Sequence, residues 1–185
     1  AISMSPSALS GRANSTATNS GSLKSSDELA YDDGMENLLA LDERVFLLIH
    51  GWARFLPDVW IWMALAGVYL IPIVLIWYWL TRRRETALFA FFAGVFAWEG
   101  LNNLIGSFIT RDRPGALIDL HFPAREFFFD RPGPSFPSDH TAFMVAITVV
   151  FWRAGERGVA TLLSIITLIT VLARVVTAPH WPGDI

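Results

Sequence analysis

The chain has 185 residues, of which 53% are hydrophobic and 14% are aromatic. This composition is too apolar for an ordinary soluble domain of this length, and it indicates a membrane protein. The formal net charge of −3 gives no reason to expect a nucleic-acid partner, and the absence of cysteine excludes disulfides and thiolate metal sites.

The amino-terminal part of the chain differs from the remainder in composition. Residues 1–26 are rich in Ser, Ala, Asn, Gly and Thr, and they carry too little apolar surface to fold by themselves. An acidic stretch follows over residues 27–43. We therefore predict that residues 1–37 form a disordered or linker segment and that residues 38–185 form a membrane-embedded domain.

The segment Leu38–Phe55 is predicted to be an amphipathic helix that lies in the membrane interface, because it is too charged to span. Asp42 falls within its apolar arc and weakens the pattern near its start. His50 lies on the same helix, and we interpret this lone histidine as a surface or packing residue rather than a catalyst.

Four apolar segments follow, and together they predict an all-α fold: a polytopic transmembrane helix bundle with an interfacial amino-terminal helix. The first contains 22 residues without a charge, which as a helix would cover about 33 Å. The second is interrupted by Glu99, Asn102 and Asn103, which we interpret as interhelical hydrogen-bonding residues. The predicted spans are Val59–Leu80, Ala87–Ile109, Thr141–Trp152 (beginning near Ser138) and Gly158–Ala173.

The distribution of arginine predicts how these spans are threaded. The positive-inside rule places residues 82–84, Arg153 and Arg157 on the cytoplasmic side. The loop 110–137 and His180 then share the outer face, which predicts a multi-pass plasma (inner) membrane protein with its site on the outer or periplasmic side. The loop is rich in proline and glycine, and we expect its phenylalanines to dip into the interface: Phe122, Phe127, Phe128 and Phe129.

Two polar groups lie at the ends of apolar segments, Pro137-Ser138-Asp139-His140 and His180-Trp181-Pro182-Gly183-Asp184. Ionisable residues are costly in hydrocarbon, so their presence at a membrane boundary indicates function. Two histidines suit an acid and a nucleophile, and a carboxylate four residues after one of them can orient it. Arginine forks match phosphate oxygens, and four arginines punctuate this part of the chain: Arg111, Arg113, Arg131 and Arg174. The pattern predicts a phosphate-handling site at a bilayer surface.

These residues resemble a known family. Arg113-Pro114, the group at 137–140 and Arg174-x5-His180-x3-Asp184 resemble the three signatures of the type-2 phosphatidate phosphatase superfamily. The stretch Ser-Phe-Pro-Ser-Asp-His-Thr is similar to that of the bacitracin-resistance type of undecaprenyl-diphosphate phosphatases. The resemblance covers about residues 40–185 and implies hydrolysis of the terminal phosphate of undecaprenyl diphosphate, without a cofactor.

The resemblance also implies roles for individual residues. His180 resembles the nucleophile that forms a phosphohistidine, Asp184 the carboxylate that holds its imidazole, and His140 the general acid. Arg113, Arg174 and Ser138 resemble the groups that bind the phosphate, and guanidinium charge in that place requires no metal.

Four positions depart from the family pattern. Gly106 stands where the family usually has lysine, and we expect Arg111 to supply that charge within the phosphate site. Asp139 replaces a common glycine, and we expect it to be paired beside the phosphate, with Arg111 or Arg131. Ala173 replaces a frequent serine. The sequence stops at Ile185, where the family has a further helix, so we expect the final family helix to be missing.

Two alternatives remain open at the level of sequence. Within lipid phosphatases, the substrate could be phosphatidate or phosphatidylglycerophosphate, because the residues themselves do not rank prenyl against glycerolipid tails. In another class, a non-enzymatic membrane protein could hold a metal or other ion on Asp139, His140, His180 and Asp184. The neighbouring arginines argue against a cation there, because they would repel it.

Overall fold

The computed structural model describes residues 26–53, 55–117 and 134–185. The predictions for residues 1–25, for Arg131 and for the four phenylalanines of the loop therefore lie outside the described residues. Contacts divide the chain into residues Ala1–Glu36 and Asn37–Ile185. In Ala1–Glu36 the structure describes only the beginning of the first helix. The remaining helices belong to Asn37–Ile185.

The described residues are helical, without a strand, which confirms the predicted all-α class. A π-helical turn, Phe96–Asn102, joins α3 to α4, and a 3₁₀ turn covers Pro182–Asp184. The α-helices are α1 (Ser26–Ala53), α2 (Pro57–Thr81), α3 (Arg84–Val95), α4 (Asn103–Gly106), α5 (Pro114–Leu117), α6 (Asp139–Arg153) and α7 (Arg157–Val176).

The first helix begins earlier than the sequence pattern indicates. It starts at Ser26, whereas the amphipathic pattern predicts a start at Leu38. The acidic residues between these positions lie towards the amino-terminal end of the helix, where the helix dipole favours negative charge. The acidic stretch is therefore compatible with helix.

Three helices of the described part are long and apolar enough to cross a membrane: Asp58–Thr81, Arg84–Gly106 and Arg157–Val176. The third predicted span, Thr141–Trp152, is not among these three. Its helix, α6, has 15 residues and covers about 22 Å, less than the hydrocarbon thickness of about 30 Å. Gly155, with φ 77°, follows its carboxyl end and lets the chain turn directly into α7.

The short helix α6 nevertheless packs within the bundle. It packs against α3 and α7, while α2 packs against α3 and α7. Apolar side chains from these helices form the core, including Ile71, Leu75, Ile147 and Leu163. The rings of Tyr78 and Phe151 meet edge to face at 4.9 Å within it. Bulky side chains thus fix α2, α6 and α7 at the end of the bundle away from the polar motifs.

The π-helical turn ends at Asn102, which connects its helix to the segment before α6. The Asn102 side-chain amide donates hydrogen bonds to the Pro137 carbonyl at 3.0 Å and to the Asp139 carboxylate. This confirms the predicted interhelical role of Asn102. Asn103 donates to the Glu99 carbonyl, four residues back in its own helical run. A π-turn often marks a functional region, and here it delivers Asn102 to the polar motif.

The chain turns back sharply after α7. This helix has 20 residues, five more than α6, so its carboxyl end extends past the amino end of its antiparallel neighbour. Ala178 then adopts φ 68°, a left-handed conformation that residues with a Cβ rarely take. The turn redirects the following residues towards the start of α6, which brings His180 to the polar motif there.

Gly67 permits the close approach of α2 to α7. A Cβ at this position would lie 1.6 Å from the Thr170 hydroxyl oxygen, so alanine cannot be accommodated without moving a helix. We expect Gly67→Ala to lower the unfolding free energy by about 1–3 kcal/mol, the usual cost of overpacking. Thermal unfolding in detergent measures this. Gly51→Ala is the matched control, since nothing lies within 4 Å of a Cβ there; equal melting temperatures for the two variants would contradict the packing argument.

Candidate functional site

The two polar motifs meet at one end of the bundle, as predicted. The Ser138 amide donates to the Asp184 carbonyl at 3.1 Å, and the Ser135 hydroxyl donates to the Asp184 carboxylate. The Ser135 carbonyl in turn lies 2.8 Å from Nδ1 of His180. The segment before α6 and the segment after α7 are therefore joined by direct hydrogen bonds.

The partners of His180 determine which ring nitrogen carries the proton. The Ser135 carbonyl oxygen can only accept a hydrogen bond, so Nδ1 of His180 must be the donor. Nε2 lies 3.4 Å from an Arg174 guanidinium nitrogen, which can only donate. Nε2 is therefore the nitrogen with the lone pair. This is the tautomer that a nucleophilic imidazole requires, and the buried ring is held in place from both sides.

Arg174 lies in the last turn of α7, where the helix dipole favours a cation. It is completely buried, and it is among the largest fully buried side chains of the described residues. A buried guanidinium is costly unless it meets polar or anionic groups, so its position within reach of Nε2 of His180 indicates a functional role. The arrangement sets a fixed positive charge beside the lone pair.

Asp184 lies beside His180. Its Oδ2 is 3.9 Å from Nδ1 of the imidazole, within ion-pair distance but too far for a hydrogen bond. The carboxylate instead accepts hydrogen bonds from the Ser135 hydroxyl, from the Trp181 amide at 2.8 Å and from Arg111 at 3.2 Å. Burial raises the pKa of the Asp184 carboxyl, and these hydrogen bonds and the Arg111 charge oppose part of that rise. Asp184 thus fixes Ser135, whose carbonyl fixes the imidazole.

Arg111 has a different environment from the one expected. Its guanidinium contacts the Asp42 carboxylate at 2.6 Å and the Asp184 carboxylate at 3.2 Å, and it lies 4.8 Å above the Trp181 ring. The carboxylates of Asp42 and Asp184 therefore compete with any phosphate for the guanidinium of Arg111. The Asp139 carboxylate accepts a hydrogen bond from Asn102. Its expected pairing with Arg131 lies outside the described residues.

Asp42 is the residue of this network that sequence reasoning missed. One carboxylate oxygen binds Arg111, and the other accepts a hydrogen bond from the Gly183 amide at 2.8 Å. These contacts explain why a carboxylate interrupts the apolar arc of α1: that face of the helix packs on the site. The carboxylate within the apolar arc was the signal in the sequence that Asp42 has a partner.

A second contact region of α1 confirms the interpretation of His50. The His50 ring is buried and stacks on Phe46. Its Nδ1 lies 2.9 Å from the Val176 carbonyl oxygen. Phe46 also packs against Trp181, with ring centroids 5.2 Å apart. His50 is therefore a packing residue that joins α1 to the end of α7.

The beginning of α6 contributes the remaining groups. Ser138 is buried at the N-cap and its hydroxyl accepts a hydrogen bond from Thr141 at 3.1 Å. His140 lies in the first turn and, with Asp139, lines a cavity within the bundle. Arg113 is half-buried and precedes α5, two residues beyond Arg111. The first turn of α6 also presents backbone N–H groups, which favour an anion.

The described residues contain no group of three or more His, Asp and Glu side chains suited to a metal ion. Two of the residues considered for a cation site are in contact with arginine: Asp184 with Arg111, and His180 with Arg174. A cation at this position would therefore meet two fixed positive charges.

We expect Asp42→Asn to weaken the attachment of α1 to the site. The substitution removes the charge that faces Arg111, and charge-assisted hydrogen bonds contribute about 1.5–3 kcal/mol. Unfolding followed by tryptophan fluorescence should show a lower melting temperature, and catalytic turnover should fall as well. Glu43→Gln is the matched control, because Glu43 is the exposed neighbour on the same helix. An Asp42→Asn protein that melts and turns over like the Glu43→Gln protein would contradict the proposed attachment.

Comparison with known proteins identifies the family of the chain. The family model of the PAP2 superfamily matches residues 87–185, more than half of the chain. No curated protein and no solved structure matches the chain. The matched region contains all the proposed site residues except Asp42, and the family implies phosphatase activity on lipid-like phosphates. The chain belongs to the PAP2 superfamily.

Proposed function

We propose that the protein is an integral membrane phosphatase that removes the terminal phosphate of a polyprenyl diphosphate, converting undecaprenyl diphosphate to undecaprenyl phosphate. The proposal rests on the orientation and the tautomer of the His180 ring. Its Nδ1–H is held by the Ser135 carbonyl, and its Nε2 lone pair faces the buried guanidinium of Arg174. A positioned lone pair beside a fixed positive charge suits nucleophilic attack on phosphorus.

In the first step, Nε2 of His180 attacks the terminal phosphorus, and the bond between this phosphorus and the bridging oxygen breaks. His140 donates a proton to that oxygen as the lipid monophosphate leaves. Arg174 and Arg113 neutralise the charge on the phosphoryl oxygens, together with Ser138 and the N–H groups at the start of α6. The imidazole acquires positive charge when Nε2 is phosphorylated, and the Ser135 carbonyl stabilises that charge through Nδ1–H.

In the second step, water attacks the phosphohistidine. His140, now neutral, accepts a proton from the water, and the bond between phosphorus and Nε2 breaks. The bonding electrons return to Nε2, inorganic phosphate leaves, and both histidines regain their starting states. The cycle consumes one water and needs no further reactant.

The choice of polyprenyl diphosphate is supported by the resemblance of residues 135–141 to the undecaprenyl-diphosphate phosphatases. Phosphate release should be compared for undecaprenyl diphosphate, phosphatidate and phosphatidylglycerophosphate in mixed micelles. We expect kcat/KM to be highest for undecaprenyl diphosphate. A higher value for either glycerolipid would assign the protein to the glycerolipid phosphatases instead.

We expect alanine substitutions of the two histidines to reduce turnover to different extents. We expect His180→Ala to abolish turnover with every substrate, because the attacking nitrogen is lost. His140→Ala should slow polyprenyl diphosphate hydrolysis by about 10² to 10⁴-fold, the usual contribution of a general acid. Its deficit should shrink with p-nitrophenyl phosphate, whose leaving group needs no proton, and the deficit of His180→Ala should not. Near-normal turnover by His180→Ala would refute the mechanism.

Arg174→Lys tests the guanidinium itself. Lysine keeps the charge but loses the planar fork, so the contacts with phosphate and with Nε2 of His180 should both be impaired. We expect kcat/KM to fall by about 10- to 100-fold, which corresponds to one charge-assisted hydrogen bond. Arg157→Lys is the matched control at the exposed start of the same helix. Equal activity of the two variants would remove Arg174 from the proposed clamp.

We further propose that the site faces the outer side of the plasma membrane, as the arginine distribution predicts. Because the chain has no cysteine, single cysteines can be labelled without background. Asp112→Cys lies beside the site, and Arg83→Cys lies between α2 and α3; both positions are exposed. An impermeant maleimide should label the first in intact cells and the second only after permeabilisation. The reverse pattern would place the site on the cytoplasmic face.

A further inference from the structure

A cavity of about 160 Å³ lies between α2, the π-helical turn and α6. Asp139 and His140 lie on one side of its lining, and His140 is the proposed general acid. The other walls are apolar and come from three elements of the bundle: Val68, Ile71, Trp98, Phe143 and Met144. Apart from the indole N–H of Trp98, the side chains of these walls carry no hydrogen-bonding group.

The cavity is partly open to the surface of the bundle, and its size is that of a small apolar group. A cavity of about 150 Å³ lined by apolar side chains holds a benzene molecule, which has six carbons. The space beside His140 therefore has room for about five or six carbon atoms, the size of one isoprene unit.

The position of the cavity relates it to the substrate. If His140 protonates the bridging oxygen of a prenyl diphosphate, the first prenyl carbon lies only three bonds beyond that oxygen. The first isoprene unit then begins beside the side of the cavity that His140 lines. In phosphatidate the leaving oxygen is bonded directly to glycerol, so ester oxygens would occupy the same region. Apolar walls cannot satisfy those oxygens, and burying them unsatisfied is unfavourable.

We propose that this cavity binds the first isoprene unit of the substrate and so selects polyprenyl over glycerolipid phosphates, with Val68 as a specificity-determining residue. The inference rests on the proposed phosphatase activity and adds what that activity leaves open, the physical basis for the choice of lipid.

The test compares a substrate that has a prenyl tail with one that has none. Farnesyl diphosphate and inorganic diphosphate contain the same type of scissile bond, and only the first carries isoprene units. Val68→Phe places a ring in the cavity, so we expect kcat/KM for farnesyl diphosphate to fall by about 10- to 200-fold, the range by which a hydrophobic pocket discriminates. Inorganic diphosphate hydrolysis should change little. The matched control is Val59→Phe, the same substitution at an exposed position of α2.

A second variant decides the question if the larger ring disturbs the bundle. Val68→Ala enlarges the cavity without overpacking, and we expect it to raise KM for farnesyl diphosphate and leave inorganic diphosphate hydrolysis unchanged. Unchanged farnesyl kinetics in both variants, or equal losses with the two substrates in both, would overturn the inference. Failure of the underlying function is distinguishable, because the unmodified full chain would then not hydrolyse farnesyl diphosphate at all.

Discussion

The site depends on the fully buried carboxylate of Asp184. A buried carboxylate without partners is strongly unfavourable, so the surrounding groups are arranged to satisfy it. The Ser135 hydroxyl, the Trp181 amide and the Arg111 guanidinium converge on its two oxygens. Satisfying this one group joins the segment before α6 to the segment after α7. It also fixes the Ser135 carbonyl, which sets the tautomer of His180.

The same requirement extends the site beyond the region that matches the family. Arg111 balances Asp184 and is balanced in turn by Asp42 of α1, which also binds the Gly183 amide. The Phe46 and His50 contacts add packing to this polar link. The helix α1 thereby supports the segment that contains His180 and Asp184. We propose that Arg174 and Arg113 bind the substrate phosphate, whereas Arg111 holds the two carboxylates.

Sequence reasoning predicted the features that depend on local composition. The apolar runs of α2 and α7 predicted membrane helices, and the cost of ionisable groups at their ends predicted where the site would form. Spacing alone did not predict the geometry within the site. Residues 182–184 form a 3₁₀ turn in which the Asp184 carboxylate accepts hydrogen bonds from the Trp181 amide and the Ser135 hydroxyl, and it lies 3.9 Å from Nδ1 of His180. The partners of Arg111 lie 69 and 73 residues away, so no local pattern indicates them. The bounds of α6 were predicted closely, since its helix runs over Asp139–Arg153.

We propose that His180 attacks through Nε2 because its Nδ1–H donates a hydrogen bond to the Ser135 carbonyl. The most direct measurement is to trap the phosphoenzyme with a polyprenyl diphosphate labelled in its terminal phosphate and to map the label by mass spectrometry. Phosphorus–nitrogen couplings in NMR spectra of the labelled peptide then distinguish the two ring positions. We expect the phosphoryl group on Nε2 of His180. A phosphoryl group on Nδ1, or on any other residue, would contradict the account.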